Sequence, residues 1–161
     1  ISEDRKREGL VLNLSIKHNI SMVNMRSAQR HGVFHEQTEH ALAERYIREL
    51  NIVTPSAEQE TVYLSGGNQQ KVVIGKWLNA DSDVLIVDEP TRGIDVGAKK
   101  EIYGIMSNLA KQGKAILMIS SEMPELLGMC DRIVVMHNGR ITGEVLAAEA
   151  TQDRLMELAI Q

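Results

Sequence analysis

The sequence predicts an α/β fold in which a helical first half precedes a largely parallel sheet that ends in an antiparallel hairpin. Three observations predict it. Apolar residues recur at helical spacing as far as Leu78, short unbroken apolar runs start at Val84 and Ala115 with a helical stretch between them, and Asn138-Gly139 joins two further runs.

The first fifteen residues are charged and turn-rich around Gly9 and read as a loop. Ser15 is placed to cap a helix carrying Ile16, Ile20 and Val23, residues 27–35 read as a break, and Glu36 to Leu50 repeats Ala43, Tyr46, Ile47 and Leu50 on one face. Beyond Pro55, a third helix follows Leu64-Ser65-Gly66-Gly67 and runs to about Leu78 with Val73, Ile74, Trp77 and Leu78 as its core stripe. Val84 to Val87 and Ala115 to Ile119 are expected as strands buried on both faces. Between them a helix from Val96 to Gln112 points Ile102, Ile105, Met106 and Leu109 inward and stops at Gly113. Pro124 opens a short helix, Arg132 to Met136 and Ile141 to Leu146 form the hairpin, and Thr151 caps a last helix that buries Leu155, Met156 and Leu158.

Composition narrows the function. The chain of 161 residues carries 18 Lys and Arg against 22 Asp and Glu, a formal charge of −4, which argues against gripping nucleic acid. The apolar runs of about five residues fall far short of the roughly 20 needed to span a bilayer. The single Cys130 excludes an intramolecular disulfide and reads as a small packed side chain. With no initiator Met and no apolar signal segment at Ile1-Ser2-Glu3-Asp4, the chain reads as part of a longer protein.

Two segments carry chemistry. Val84-Leu85-Ile86-Val87-Asp88-Glu89 is an apolar strand that delivers two carboxylates to the carboxyl edge of a sheet, where open α/β folds bind ligands. Asp88 there suits Mg²⁺, directly or through water, and Glu89 suits orienting and deprotonating an attacking water. Two solvated acids before a proline turn explain the same residues about equally well. The second segment, Leu64 to Gln70, starts a helix at Ser65 with two glycines, so backbone N–H groups can approach a phosphate; an ordinary serine cap is the alternative. That tip precedes Asp88 by 23 residues, and Thr91-Arg92-Gly93-Ile94-Asp95 follows at once, a coincidence that favours the chemical reading of both.

At these residues the chain resembles the ATP-binding cassette (ABC) ATPases, whose fold is that of the P-loop NTPases. Leu64 to Gln70 is similar to their signature motif, Val84 to Glu89 to their Walker B strand and Arg92 to Asp95 to their D-loop. Ser2 to Leu10, Leu64 to Lys71 and Ile119 to Glu125 resemble more narrowly the C-terminal cassette of bacterial monosaccharide importers of the ribose, galactose and xylose type. The resemblance implies that residues 1–161 are the C-terminal part of one cassette. Residues 1–80 would hold the Q-loop region, helical subdomain and signature helix, and 81–161 the Walker B strand, D-loop, switch region and C-terminal hairpin and helix. It implies ATP and Mg²⁺ as ligands, with Ser65, Gly66, Gly67 and Gln69 meeting a nucleotide held by the partner cassette, and Asp95 in the D-loop. The implied partners are an N-terminal cassette of the same polypeptide, permease subunits and, indirectly, a periplasmic sugar-binding protein, at the cytoplasmic face of the bacterial inner membrane.

Two departures qualify the resemblance. The phosphate-cradling pattern G-x-x-x-x-G-K-[ST] is missing, because Gly75-Lys76 and Gly113-Lys114 have Gln70 and Asn108 where the first glycine belongs. The 161 residues alone are therefore expected not to hydrolyse ATP. Ser121 stands where the family has its switch histidine, and a hydroxyl cannot carry imidazole's charge or accept its proton. Two readings follow: an ATP-hydrolysing cassette of a sugar importer that uses Glu89 and Ser121, or a cassette that mainly lends its signature to a partner and turns over little ATP itself.

Other patterns carry less. His35 and His40 are five residues apart and so about 140° apart on a helix, which spoils the comparison with H-E-x-x-H. Arg5-Lys6-Arg7 sits among acids and reads as a solvated loop.

Overall fold

The computed structural model describes residues 1–160. Ser15 caps α1 (Ile16–Ser21) by accepting a hydrogen bond from the His18 N–H, and Ile16 and Ile20 are buried while Val23 lies past the helix end. Ahead of it, the segment read as a loop contains a tight turn at Arg5–Gly9, where Asp4 Oδ1 accepts from the Lys6 and Arg7 N–H groups. Residues 27–35 hold a small hairpin of β1 (Gln29–Arg30) and β2 (Val33–Phe34), turned through His31 and Gly32 with φ of 54° and 81°. Strands of two residues are too short to leave a period in the sequence.

Helix α2 (Glu36–Glu49) buries Ala43 and Tyr46, with Leu50 buried just beyond it. Helix α3 (Gly66–Leu78) is the axis of this part of the molecule, buried continuously from Gln69 to Lys76. Trp77 corrects the expectation of a core residue: with Val73 and Lys76 inward, the next position turns about 100° further and is exposed. Lys76, in contrast, donates from the interior to Gly9 O at 2.9 Å, and burial pushes its pKa down.

β3 (Val84–Asp88) and β4 (Ala115–Ile119) pair in parallel, from Val84 opposite Ala115 to Asp88 opposite Ile119. The crossover between them is α4 (Val96–Lys111), which buries Ile102, Met106 and Leu109 and is followed by Gly113 at φ 92°. Neither strand is buried on both faces. Leu85 and Val87 are 5% and 3% exposed, whereas Val84, Ile86, Leu117 and Ile119 lie on the other face at 55%, 53%, 56% and 47%. The apolar run told how hydrophobic these strands are but not which faces are covered.

Residues Ile1–Ile119 form one compact unit and those from Ser120 onward a second. In the second, α5 (Met123–Met129) has Pro124 in its first turn, and β5 (Arg132–His137) and β6 (Arg140–Leu146) pair antiparallel around Asn138 and Gly139, with φ of 47° and 75°. The hairpin is its own two-stranded sheet and not a margin of the parallel pair. Thr151 caps α6 (Gln152–Ala159), whose Leu155 and Leu158 join Ile133 and Val145 in a core edged by Leu126 and Cys130. Met156, expected inside, is exposed because only the Leu155–Leu158 side of this short helix meets the hairpin.

Candidate functional site

Two helix N-termini meet in the first unit. Ser65 caps α3, its Oγ accepting from Asn68 N at 3.4 Å and from Asn68 Nδ2 at 3.0 Å, and Asp95 caps α4, its Oδ1 accepting from Ala98 N at 2.9 Å. The two glycines of α3 let these ends touch. A β-carbon on Gly67 would stand 2.5 Å from Ala98 Cβ, and one on Gly66 would stand 3.2 Å from Gly93 O and 2.8 Å from Arg5 Nη2.

Between the two ends lies a cleft of about 180 Å³, lined by Ser65, Asn68, Lys71, Asp95 and Glu101 among others. The Lys71 ammonium is 2.5 Å from Glu101 Oε2 and 2.6 Å from Asn51 O, so its charge is met inside the wall. Gln69, grouped with the tip in the sequence, is buried, and its Nε2 donates to Thr61 O at 3.0 Å while its Oε1 has no hydrogen-bond partner. Its side chain supports the tip from inside, whereas Ser65 is exposed.

The second element of the site is the end of β3. Asp88 is still part of the ladder, its N–H donating to Ile1 O at 3.0 Å, and Ile1 N donates to Ile86 O at 2.8 Å along the same edge. Glu89 leaves the strand with φ 46°, a left-handed conformation that costs a non-glycine residue about 1–3 kcal/mol and concentrates at functional sites. Its N–H donates to Ile119 O at 2.9 Å, and its carbonyl accepts from Arg92 N at 3.1 Å, so the residue is held at both ends. Both carboxylates thus leave the carboxyl end of the parallel pair, where this class of sheet binds ligands.

Among the described residues no group of three or more His, Cys, Asp and Glu side chains converges as a self-sufficient metal cage. One carboxylate with phosphate oxygens and water is the donor set that Mg²⁺ favours, and Asp88 fits it.

The loop Thr91–Asp95 joins the two elements. Thr91 is buried, Gly93 has φ 68°, and Asp95 ends the loop as the α4 cap. Arg5 overturns the solvated-loop reading of its segment: Nη1 donates to Arg92 O at 2.8 Å and Nη2 to Gly93 O at 3.2 Å, while the Arg92 side chain is paired with Glu3. Lys6 and Arg7 do remain exposed. Arg5 and Ala98 were not legible as site residues, because each acts on a loop or helix remote in sequence. In the second unit, Ser121 is exposed just before α5, beside Ser120, whose Oγ accepts from Glu122 N at 3.0 Å and donates to the buried Glu125 at 2.8 Å.

Among the described residues no helix is long and apolar enough to cross a membrane. Residues 5–92 match the family described as ABC transporter. The chain is 54% identical over 159 residues to the ribose import ATP-binding protein RbsA of Bacillus subtilis (strain 168), covering 99% of this chain and 32% of that protein. It is 56% identical over 158 residues to the L-arabinose transport ATP-binding protein AraG of Geobacillus stearothermophilus, covering 98% and 31%. The chain therefore spans about a third of the length of these curated relatives. Among solved structures, the dimeric post-hydrolysis state of the ATP-binding cassette MJ0796 bound to ADP and Pi aligns with a TM-score of 0.74 at 18% identity, over 88% of this chain and 60% of that one. The ADP conformation of the cassette MJ1267 aligns at 0.73 and 20% identity, over 92% and 63%. At these identities the structural likeness establishes the fold.

Proposed function

The chain belongs to the ABC transporter family, and from that premise we propose that it is part of the ATP-binding, ATP-hydrolysing subunit of a bacterial importer of monosaccharides. The observation that carries this reading is the joining of the Ser65 tip to the Asp88–Glu89 strand end through Thr91–Asp95, inside one compact unit. Relatives named for ribose import and L-arabinose transport support the cargo class.

In this reading the two elements serve different nucleotides. Ser65, Gly66 and Gly67 present the start of α3 to an ATP held by an N-terminal cassette of the same polypeptide, where the helix N-terminus favours the phosphate charge. Gln69 keeps that helix start in place from within. Asp88 is the residue that would hold Mg²⁺ at this cassette's own site, and the ion would supply positive charge to offset that of the phosphate oxygens. Glu89 orients the attacking water and takes its proton, Asp95 fixes the loop between the two sites, and Ser121 stands at the sequence position where the family has its switch histidine. Rate acceleration comes chiefly from positioning and charge stabilisation. Closure of the cassette pair would then move permease subunits fed by a periplasmic sugar-binding protein, with this subunit peripheral to the cytoplasmic face of the inner membrane.

Ser121 favours a second reading, in which this cassette mainly lends its signature and hydrolyses little ATP, since a hydroxyl offers no imidazole charge. Glu89→Gln in the full-length importer separates the two. Loss of most of the ATPase activity supports hydrolysis at this cassette, and near-normal turnover supports the lending role. The 161 residues by themselves are expected to be inactive.

A further inference from the structure

The segment at Ile1–Arg5 holds the loop after β3 through more than one kind of contact. Ile1 runs along the edge of β3 by two backbone hydrogen bonds, to Ile86 O and from Asp88 N, and Glu3 pairs with the Arg92 side chain. Asp4 fixes the turn from which Arg5 projects. Arg5 then places its two terminal nitrogens on consecutive carbonyls, Arg92 O at 2.8 Å and Gly93 O at 3.2 Å. The guanidinium is a planar fork with donors at fixed angles, so two adjacent acceptors define the orientation of the peptide between them. That peptide leads into Gly93 at φ 68°, a residue with no steric preference of its own for that conformation over its mirror.

The same guanidinium borders the helix tip. A β-carbon on Gly66 would be 2.8 Å from Arg5 Nη2 and 3.2 Å from Gly93 O, so arginine fork, loop carbonyl and tip glycine share one contact point. Arg5 Nε is buried with no hydrogen-bond partner, a desolvation cost that the two Nη bonds offset only in this pose.

We propose that Arg5 is a positioning residue for the nucleotide reaction: its guanidinium sets the Arg92–Gly93 peptide against Gly66, so that the Ser65 tip and the strand end at Asp88–Glu89 keep one fixed relation. The inference rests on the functional reading above, and it adds a residue outside the signature, Walker B and D-loop segments. Lysine cannot replace the fork, because a single ammonium reaches one carbonyl well and not two in a plane.

The test uses the full-length polypeptide with its permease in vesicles, comparing Arg5→Gln, Arg5→Lys and, as a control on the exposed neighbour, Lys6→Gln. Hydrogen exchange is read at the peptide covering Thr91–Asp95, where the Arg92 N–H is bonded to Glu89 O. Arg5→Gln is expected to speed exchange there about tenfold without speeding it in α2 or α6, and to lower kcat severalfold at unchanged KM for ATP. Arg5→Lys should fall between, and Lys6→Gln should match the parent protein. Unchanged local exchange in Arg5→Gln would overturn the proposal, and so would faster exchange spread across the whole unit, which marks a merely structural residue. If the parent protein has no ATPase activity, the functional reading fails on its own, while the exchange at Thr91–Asp95 still decides what Arg5 does.

Discussion

Lys17 Nζ donates to Glu36 Oε1 at 2.9 Å, and it lies 3.0 Å from Glu58 Oε1, although the lysine is almost wholly buried and both glutamates are exposed. The hydrogen bonds that Lys17 donates to Glu36 and Glu58 outweigh desolvation and raise the Lys17 pKa above its ordinary 10.5, while the bond from Lys17 holds Glu36 below 4.5. A raised lysine stabilises the fold below its unfolded pKa and loses that contribution as pH climbs through the folded value. A lowered glutamate stabilises above its unfolded pKa and loses the contribution as pH falls through its folded value. The cluster is thus intact between about pH 5 and pH 10. Comparing the unfolding free energy of the parent with Lys17→Met from pH 8 to pH 3 should show a gap that shrinks below pH 4.5, where Lys17 stays charged and buried while Glu36 protonates. Parallel curves across that range would contradict the assignment.

Ser65 has a structural duty as well as the proposed chemical one. Its Oγ satisfies the Asn68 N–H at the start of α3, and loss of such a cap costs about 1 kcal/mol. Ser65→Ala should speed hydrogen exchange in the first turn of α3 by about fivefold, and Ser65→Thr, which keeps an oxygen there, should restore it. If both variants also lower ATP turnover equally, the hydroxyl's placement matters beyond the cap.

Much of the fold was legible because its signals are local. Ser15, Ser65 and Thr151 stand as helix caps, and the Asn138-Gly139 turn has positive φ at both residues. The strand from Val84 was read to within one residue of its end. What failed was environment. A four-residue apolar run has the same appearance whether one face or two are covered, and Trp77 and Met156 fit their helical stripes while lying just outside the buried arc. Arg5 escaped for a different reason: its acceptors are 87 and 88 residues away, and a basic run between acids is what a solvated loop looks like.

The contact between Gly67 and Ala98 makes a reciprocal prediction. Since a β-carbon at 67 would be 2.5 Å from Ala98 Cβ, and neither atom is the end of a flexible chain, Gly67→Ala must push α3 and α4 apart. Overpacking of this kind costs about 1–3 kcal/mol. The double variant Gly67→Ala with Ala98→Gly moves the methyl group to the other helix and should recover most of that loss, because the helical glycine removed at 67 offsets the one introduced at 98. Chemical unfolding of the two single variants and the double variant reads the coupling, and simple additivity would mean that the helices do not meet there.

The face of the parallel pair opposite its core has its own consequence. Val84 and Ile86 on β3 are in register with Ala115 and Leu117 on β4, and Ile119 continues the row beside Asp88, so five apolar side chains lie side by side on one exposed surface. Such contiguous patches drive association when nothing covers them. The 161 residues on their own should therefore self-associate. Charged residues at the centre of the row, Ile86→Glu together with Leu117→Lys, are cross-strand partners and would pair with each other instead of repelling. Light scattering on the purified chain should show large particles for the parent sequence and a shift toward monomer for the double variant. The inward residues Leu85 and Val87 are untouched by these changes, so far-ultraviolet circular dichroism should be the same for both. A parent chain that stays monomeric at high concentration would mean that this surface does not govern association.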